Sequence, residues 1–266
     1  DTIEVSRSSI NSVSFAASLG VAVGSSTAVS VSGAGAYSEN VITTKALANI
    51  DSSVVSGQGD GIIAAENDAS INASVIAAAM SVSASGSTGV GVSIGVAIAR
   101  NLIGETRSGD VSPVQVHATS TDAQLASANG NIDVLATADQ SINALTFAGS
   151  AAVAAGSTGV AVSGSGVYNE NVVDVDVLAA IDGDLAGATG PAVEGDDVTV
   201  SAINSSAISA LAGAASVAVA LGSTGVAVAV GLGLAHNEIG GSVEARIMNA
   251  DGGANDGVLA RTGDVT

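Results

Sequence analysis

Branched hydrophobic residues alternate with small residues over long stretches of this chain. In the segment 226–235, which reads VAVAVGLGLA, valine and leucine occupy one parity and alanine or glycine the other. A period of two predicts a β-strand with branched side chains on one face and only methyl groups and hydrogens on the other. Because neither face is polar, we expect the strand to be covered on both sides. Another protomer or the chain's own strands could cover the Ala/Gly face, and the pattern does not distinguish them.

The same pattern occurs four times. Each copy contains a Gly-Ser-Thr or Ser-Ser-Thr turn, followed at a constant distance by an asparagine. The asparagines are 61, 70 and 66 residues apart, which gives a period of about 66 residues. Self-similarity of this kind predicts structural repeats that stack on one another. The turn threonines are Thr27, Thr88, Thr158 and Thr224, and the asparagines are Asn40, Asn101, Asn171 and Asn237.

These repeats predict an all-β chain that forms an elongated parallel β-solenoid of four units, residues 1–68, 69–139, 140–199 and 200–266. We expect about three turns of roughly 20 residues in each unit. Asparagine at a fixed place in every unit predicts a ladder of side-chain amides, and a plain turn residue is the alternative. The chain begins and ends in mid-pattern, so we expect a segment of a longer array.

Two other structures compete with the solenoid. The stretch 207–235 has no charged residue and is long enough for a transmembrane helix. Its two-residue period and its central Gly-Ser-Thr-Gly sequence favour strands instead, so we expect no membrane insertion. The strands on either side of each turn could also pair as an antiparallel hairpin, since loops of this length join adjacent strands.

Composition narrows the function. The chain is 47% hydrophobic but only 2% aromatic, which predicts a thin core of small aliphatic side chains. The absence of cysteine excludes disulfides and thiol catalysis. A formal net charge of −19, from 25 acidic and 6 basic residues, makes nucleic acids and anionic lipids poor partners.

The acidic turns are candidate ion sites. The DGGANDG sequence at 251–257 resembles the Gly/Asp repeat of calcium-binding β-rolls, although it lacks the third glycine and occurs once. Solvated turns without ions are the alternative, and no other cofactor is expected. The candidate calcium ligands are Asp251, Asn255, Asp256, Asp182 and Asp184.

Enzymatic activity is not expected. Paired carboxylates on a β-helix can cleave polysaccharides, but this chain has few of the aromatic and basic side chains that hold sugar polymers. His117 and His236 lie at different places in their units and have no nucleophile nearby in sequence. The glycosylation sequons at Asn72 and Asn204 are short enough to arise by chance.

The order of motifs resembles a known family. It runs from GDDVTV at 195–200 through an Ala/Ser strand and the Gly-Ser-Thr-Gly turn to a Gly/Ala strand, Asn-x-Ile, and VEARI at 243–247. This succession resembles the repeats of giant bacterial filamentous surface adhesins of the leukotoxin and haemagglutinin-like kind, over essentially the whole chain. The resemblance implies an exported β-helical stalk at the cell surface, which acts in adhesion or in cell-surface structure.

The function that we expect is therefore structural. The chain would be a segment of a secreted or cell-surface fibrous protein that associates with itself through its Ala/Gly faces. Cell-surface or biofilm matrix components are its further expected partners. A calcium-dependent binding module is the alternative, and a polysaccharide-processing β-helix is a third and weaker one.

Overall fold

The computed structural model describes residues 1–187, 189–250 and 257–266. Within these residues every regular element is a β-strand, and all pairings between strands are parallel. The expectation of an all-β chain of parallel strands is confirmed. The strands are β1 (Thr2–Gly24), β2 (Thr27–Ile42), β3 (Lys45–Asp51), β4 (Val54–Gly57), β5 (Gly61–Ser85), β6 (Thr88–Ile103), β7 (Val114–Thr121), β8 (Gln124–Ser127), β9 (Ile132–Ala155), β10 (Thr158–Asp182), β11 (Val193–Gly195), β12 (Val198–Asn204), β13 (Ala207–Leu221), β14 (Thr224–Met248) and β15 (Val258–Ala260).

The strands form three sheets, which the chain visits in turn. The first sheet has the order β1-β5-β9, with β12 and β13 both paired to β9. In the second sheet, β10 pairs with β6 and then β7 on one side and with β14 on the other, while β2 and β3 extend the sheet beyond β6 and β7. The third sheet has the order β4-β8-β11-β15. The chain therefore passes through the first, second and third sheets and returns to the first, one layer further along.

Each such layer uses a whole sequence period. Thr27 pairs with Thr88, which pairs with Thr158, and no shorter turn of the chain lies between them. The expectation of about three turns in each unit is wrong. Its physical reason is strand length: the uninterrupted alternation lets β10 continue for 25 residues, whereas a typical strand has about 5–6.

The strands on either side of each turn belong to different sheets. β1 lies in the first sheet and β2 in the second, and they face each other through side chains instead of pairing through their backbones. The antiparallel hairpin is therefore wrong, and the stretch 207–235 forms β13 and β14 instead of a helix. Among the described residues, no helix is long and apolar enough to cross a membrane.

The interior has two parts that differ in side-chain size. Where all three sheets meet, large aliphatic side chains are fully buried, and we call this part the three-sided core. The remaining part, which we call the blade, consists of the first and second sheets alone, over residues 12–38, 73–99, 144–169 and 210–235. Its interior is mostly alanine, serine and glycine, with the larger Val75, Thr146, Val167 and Asn169 buried among them. Fully buried members of the three-sided core include Ile71, Ile103, Val116, Val134, Val175 and Ile181.

The two sheets of the blade approach each other closely. A Cβ atom at Gly95 would lie only 2.5 Å from the carbonyl oxygen of Gly149 in the facing sheet. Hydroxyl groups also bridge the sheets, since Ser32 donates to Ser18 at 3.0 Å. The Ala/Gly parity therefore points inward, where the chain's own opposite sheet covers it. The expectation of contacts between protomers through this face is wrong, because sheets with such small side chains leave no room for a third layer.

Candidate functional site

The four asparagines form one continuous ladder in the second sheet. Asn40 Nδ2 donates to Asn101 Oδ1 at 2.8 Å, and Asn101 Nδ2 donates to Asn171 Oδ1 at 2.8 Å. Asn171 Nδ2 in turn donates to Asn237 Oδ1 at 2.7 Å. Asn101 and Asn171 are fully buried. The ladder lies at the boundary between the blade and the three-sided core. It therefore joins consecutive layers at the place where the buried side chains change from small to large.

The turn threonines close the far end of the blade. Each begins a strand of the second sheet, and the four share one row of the register. The backbone N–H of Thr88 donates to the carbonyl oxygen of Ser26 in the preceding layer at 2.9 Å, and Thr158 and Thr224 make the equivalent bond. These contacts satisfy the backbone N–H groups at a tight turn.

A row of ion pairs runs beside the asparagine ladder. Arg100 Nε donates to Glu170 Oε2 at 2.6 Å, and its Nη1 lies 3.4 Å from Glu39 Oε1. Arg107, from the loop after β6, reaches Glu39 Oε2 at 3.3 Å. The hydrogen bond that Arg100 donates to Glu170 raises the pKa of Arg100 above its ordinary value. Sequence reasoning missed this row, although its signal was present: Glu39, Arg100 and Glu170 each directly precede a ladder asparagine.

Acidic side chains gather on the outer surface of β10 and β14. Burial raises the pKa of the Asp174 carboxyl, and the charges of Glu238 and Asp176 add to the effect. His117 Nε2 lies 3.0 Å from Asp176 Oδ2, and Ser242 donates to the other oxygen of the same carboxylate. Each oxygen of the Asp176 carboxylate therefore has a partner. Together these side chains form a network of charges and hydrogen bonds along the sheet surface.

The candidate calcium ligands are only partly described. Asp251, Asn255 and Asp256 lie outside the described residues. Asp182 ends β10 and accepts a hydrogen bond from Asn249 Nδ2 at 2.8 Å. Nowhere in the described part of the chain do three or more His, Asp or Glu side chains form a group that could hold a metal, so Asp182 and Asp184 are not joined by a third acid. Calcium binding remains a prediction, which thermal unfolding with and without chelator tests.

The outer faces of the blade are apolar and exposed. The branched parity points outward on both sheets, and no charged residue occurs in the blade segments. All 25 acidic and 6 basic residues therefore lie elsewhere. Exposed apolar surface of this extent usually marks an interaction site. Examples are Val13, Phe15, Leu19, Met80, Phe147 and Val217 on the first sheet and Val31, Ile94, Val162, Val228 and Leu232 on the second.

Comparisons with known proteins add no name to this surface. No family model matches the sequence, no curated protein is similar to it, and no solved structure matches the fold. The resemblance to filamentous adhesins therefore rests on the sequence motifs alone.

Proposed function

We propose that this chain is a parallel β-solenoid of four repeats of about 66 residues, and that it serves as a structural segment of a secreted or cell-surface fibrous protein. Such a segment would bind itself and surface or matrix components, as an adhesin stalk or an extracellular filament does. The single observation that carries the proposal is the asparagine ladder, in which equivalent side chains of four successive repeats bond in one line. Its geometry is that of a scaffold, because its hydrogen bonds are used in holding one layer to the next.

The shape of the segment supports this role. Parallel strands lie about 4.8 Å apart, so four layers are roughly 19 Å thick, while a 25-residue strand extends on the order of 80 Å. A longer array of the same layers would be a broad ribbon, which gains only about 4.8 Å of length with each repeat. Such a ribbon exposes wide sheet faces to its surroundings, which suits lateral assembly or adhesion.

Cysteine pairs test the stacking directly, since the natural chain has no cysteine. Asn72 and Asn143 are paired neighbours on adjacent layers, whereas Asn11 and Asn143 are two layers apart. A thiol cross-linker that spans about 6 Å should join the Asn72→Cys, Asn143→Cys pair and leave the Asn11→Cys, Asn143→Cys pair unjoined, because the separations are about 5 and 10 Å. Equal reaction of both pairs in the folded protein would contradict the solenoid.

Location is tested on cells that make the protein. Antibodies against the chain should label intact cells, and protease treatment of those cells should remove the signal. Labelling that requires permeabilised cells would contradict the surface role while leaving the solenoid unaffected.

A further inference from the structure

We propose that the outer face of the first sheet in the blade is an interface between two copies of this chain. The inference deepens the proposed structural function, because it names a partner and the surface through which the partner binds. It rests on a ridge and a trough that run side by side across the strands of that face.

The ridge is a row of large side chains. Phe15, Ile76 and Phe147 are in-register neighbours on β1, β5 and β9. The fourth position of the row is Gly213 on β13, where an added Cβ would lie 3.2 Å from Cδ2 of the Phe147 ring. The ring thus leans over the glycine and continues the ridge. Phe15 is 67% exposed and Phe147 is 41% exposed, so the ridge stands in solvent.

The trough is the next outward row, two residues along each strand. It is formed by Ala17, Ala78, Gly149 and Ala215, and Leu19, Met80 and Val217 rise on its far side. The resulting groove has a volume of about 490 Å³. No side chain of the described residues fills it.

Ridge and trough are complementary to each other across a two-fold axis. An axis that runs parallel to the rows, midway between them, places the ridge of each copy in the trough of the other and keeps the layers level. A contact of this kind is isologous, since the same surface serves both partners. In the flanking rows, the two inner layers set a large side chain against a small one, since Met80 meets Ser74 and Leu145 meets Ala151. In the two outer layers branched side chains meet, Val13 with Leu19 and Leu211 with Val217.

The area suffices for a stable dimer. About the two-fold axis the rows of Val21 and Val23 meet those of Asn11 and Ser9, so the contact extends over 15 residues, from Ser9 to Val23, and over their partners on three further strands. This amounts to roughly 50 by 19 Å, or about 950 Å². A standard protein interface buries about 800 Å² on each partner. Whether the contact forms then depends on the fit, which the two rows supply.

Charge also favours a second copy over a membrane. The blade is free of charge, so two chains of net charge −19 can meet there with less repulsion than anywhere else on their surfaces. An anionic lipid surface would repel the rest of the molecule, and the face has none of the Trp, Lys or Arg side chains that anchor proteins at lipid interfaces. The outer face of the second sheet also has ridges, such as the row Tyr37, Ile98, Tyr168 and Leu234, but it has no trough beside them. Ile94 and Val230 alternate with Gly33 and Gly164 in one row, so that row offers no continuous line of small residues.

Sedimentation velocity over a range of protein concentrations tests the interface. The 25.1 kDa chain should form a species of twice that mass, and Ala78→Leu, which fills the trough without adding charge, should weaken dimerisation at least tenfold. Ile94→Lys, an exposed change on the second sheet, is the matched control and should leave the dimer unchanged. Circular dichroism confirms that both variants are folded.

Three outcomes would overturn the interface. The wild-type chain could remain monomeric, Ile94→Lys could disrupt the dimer as strongly as Ala78→Leu, or monomers could bind vesicles of neutral phosphatidylcholine in a flotation assay. The cross-link is measured in parallel on the Asn72→Cys, Asn143→Cys variant. If it forms while the dimer fails, the interface is wrong and the solenoid stands; if it fails too, both are wrong.

Discussion

Replacing Asn171 by alanine removes the centre of the asparagine ladder. Asn171 accepts a hydrogen bond from Asn101 at 2.8 Å and donates one to Asn237 at 2.7 Å. A hydrogen bond contributes about 1 kcal/mol net, and a buried polar group left without a partner costs about 1–3 kcal/mol. The variant loses two bonds and leaves Nδ2 of the fully buried Asn101 unpaired. We therefore expect Asn171→Ala to lower the free energy of unfolding by about 3 kcal/mol.

The same strand provides the control. Asn169 lies two residues earlier on the same face and is also fully buried, but its side-chain amide has no hydrogen-bond partner among the described residues. Its in-register neighbours are Ala99 and Ala235, so an alanine fits the row. Asn169→Ala creates a small cavity but also removes an unpaired buried amide, and these two effects oppose each other. We expect the free energy of unfolding to change by less than about 1 kcal/mol.

Both variants are measured by guanidinium unfolding, followed by far-UV circular dichroism at one protein concentration. The slopes of the transitions should match that of the wild type, so that the midpoints report stability alone. Equal losses in the two variants would show that the volume of the side chain matters and that the ladder's hydrogen bonds do not. No loss in Asn171→Ala would refute the reasoning altogether.

Three further predictions follow from the blade, the ion row and the acidic surface. Gly95→Ala should lower the free energy of unfolding by about 2 kcal/mol, and with it the thermal midpoint, because its Cβ would lie 2.5 Å from a carbonyl oxygen. Gly164→Ala should leave the midpoint unchanged, because a Cβ there would have nothing within 4 Å. Arg100→Met should cost about 2 kcal/mol in chemical unfolding at pH 7, whereas Arg7→Met, on an exposed pair, should cost under about 0.5 kcal/mol. The pKa of Asp174 is raised in the folded state, so its charge destabilises the fold above that pKa; Asp174→Asn should raise the thermal midpoint at pH 7 and give no gain at pH 3.

The repeat period and the strand pattern could be read from the sequence because each row of a sheet is built from equivalent residues. Asn40, Asn101 and their counterparts recur at the spacing at which the strands pair. The number of layers in each unit could not be read in the same way. Alternation identifies a strand but does not say where it turns a corner, and β10 turns none for 25 residues.

The sequence also could not show which face of each strand points into the protein. Both parities are apolar, so the usual contrast between a polar outside and an apolar inside is missing. The short distance between the two sheets decides which face points inward, because it leaves no room for a Cβ atom at Gly95. Only the packed structure shows that valine and phenylalanine lie outside.

The charged residues of the ion row recur at one place in the sequence pattern, but the sequence alone did not show that they pair with one another. Glu39, Arg100, Glu170 and His236 each precede a ladder asparagine. Opposite charges at such distances in sequence mean nothing until in-register stacking brings them side by side. The chain encodes these contacts at the period of the layers, so they can be recognised only after the layer has been defined.

The blade reverses the usual distribution of side-chain sizes, and this links its stability to association. Its interior is mostly alanine, serine and glycine and so buries little apolar area, and hydrogen bonds between layers therefore hold it together more than hydrophobic burial within one copy does. A second copy that covers the first sheet adds the missing burial, and binding to the folded state alone raises its stability with concentration. Blade amides should therefore exchange more slowly in the wild-type dimer than in Ala78→Leu, while amides of the three-sided core exchange alike in both. If amide exchange slowed equally in the blade and in the three-sided core, the proposed link between blade stability and association would be contradicted.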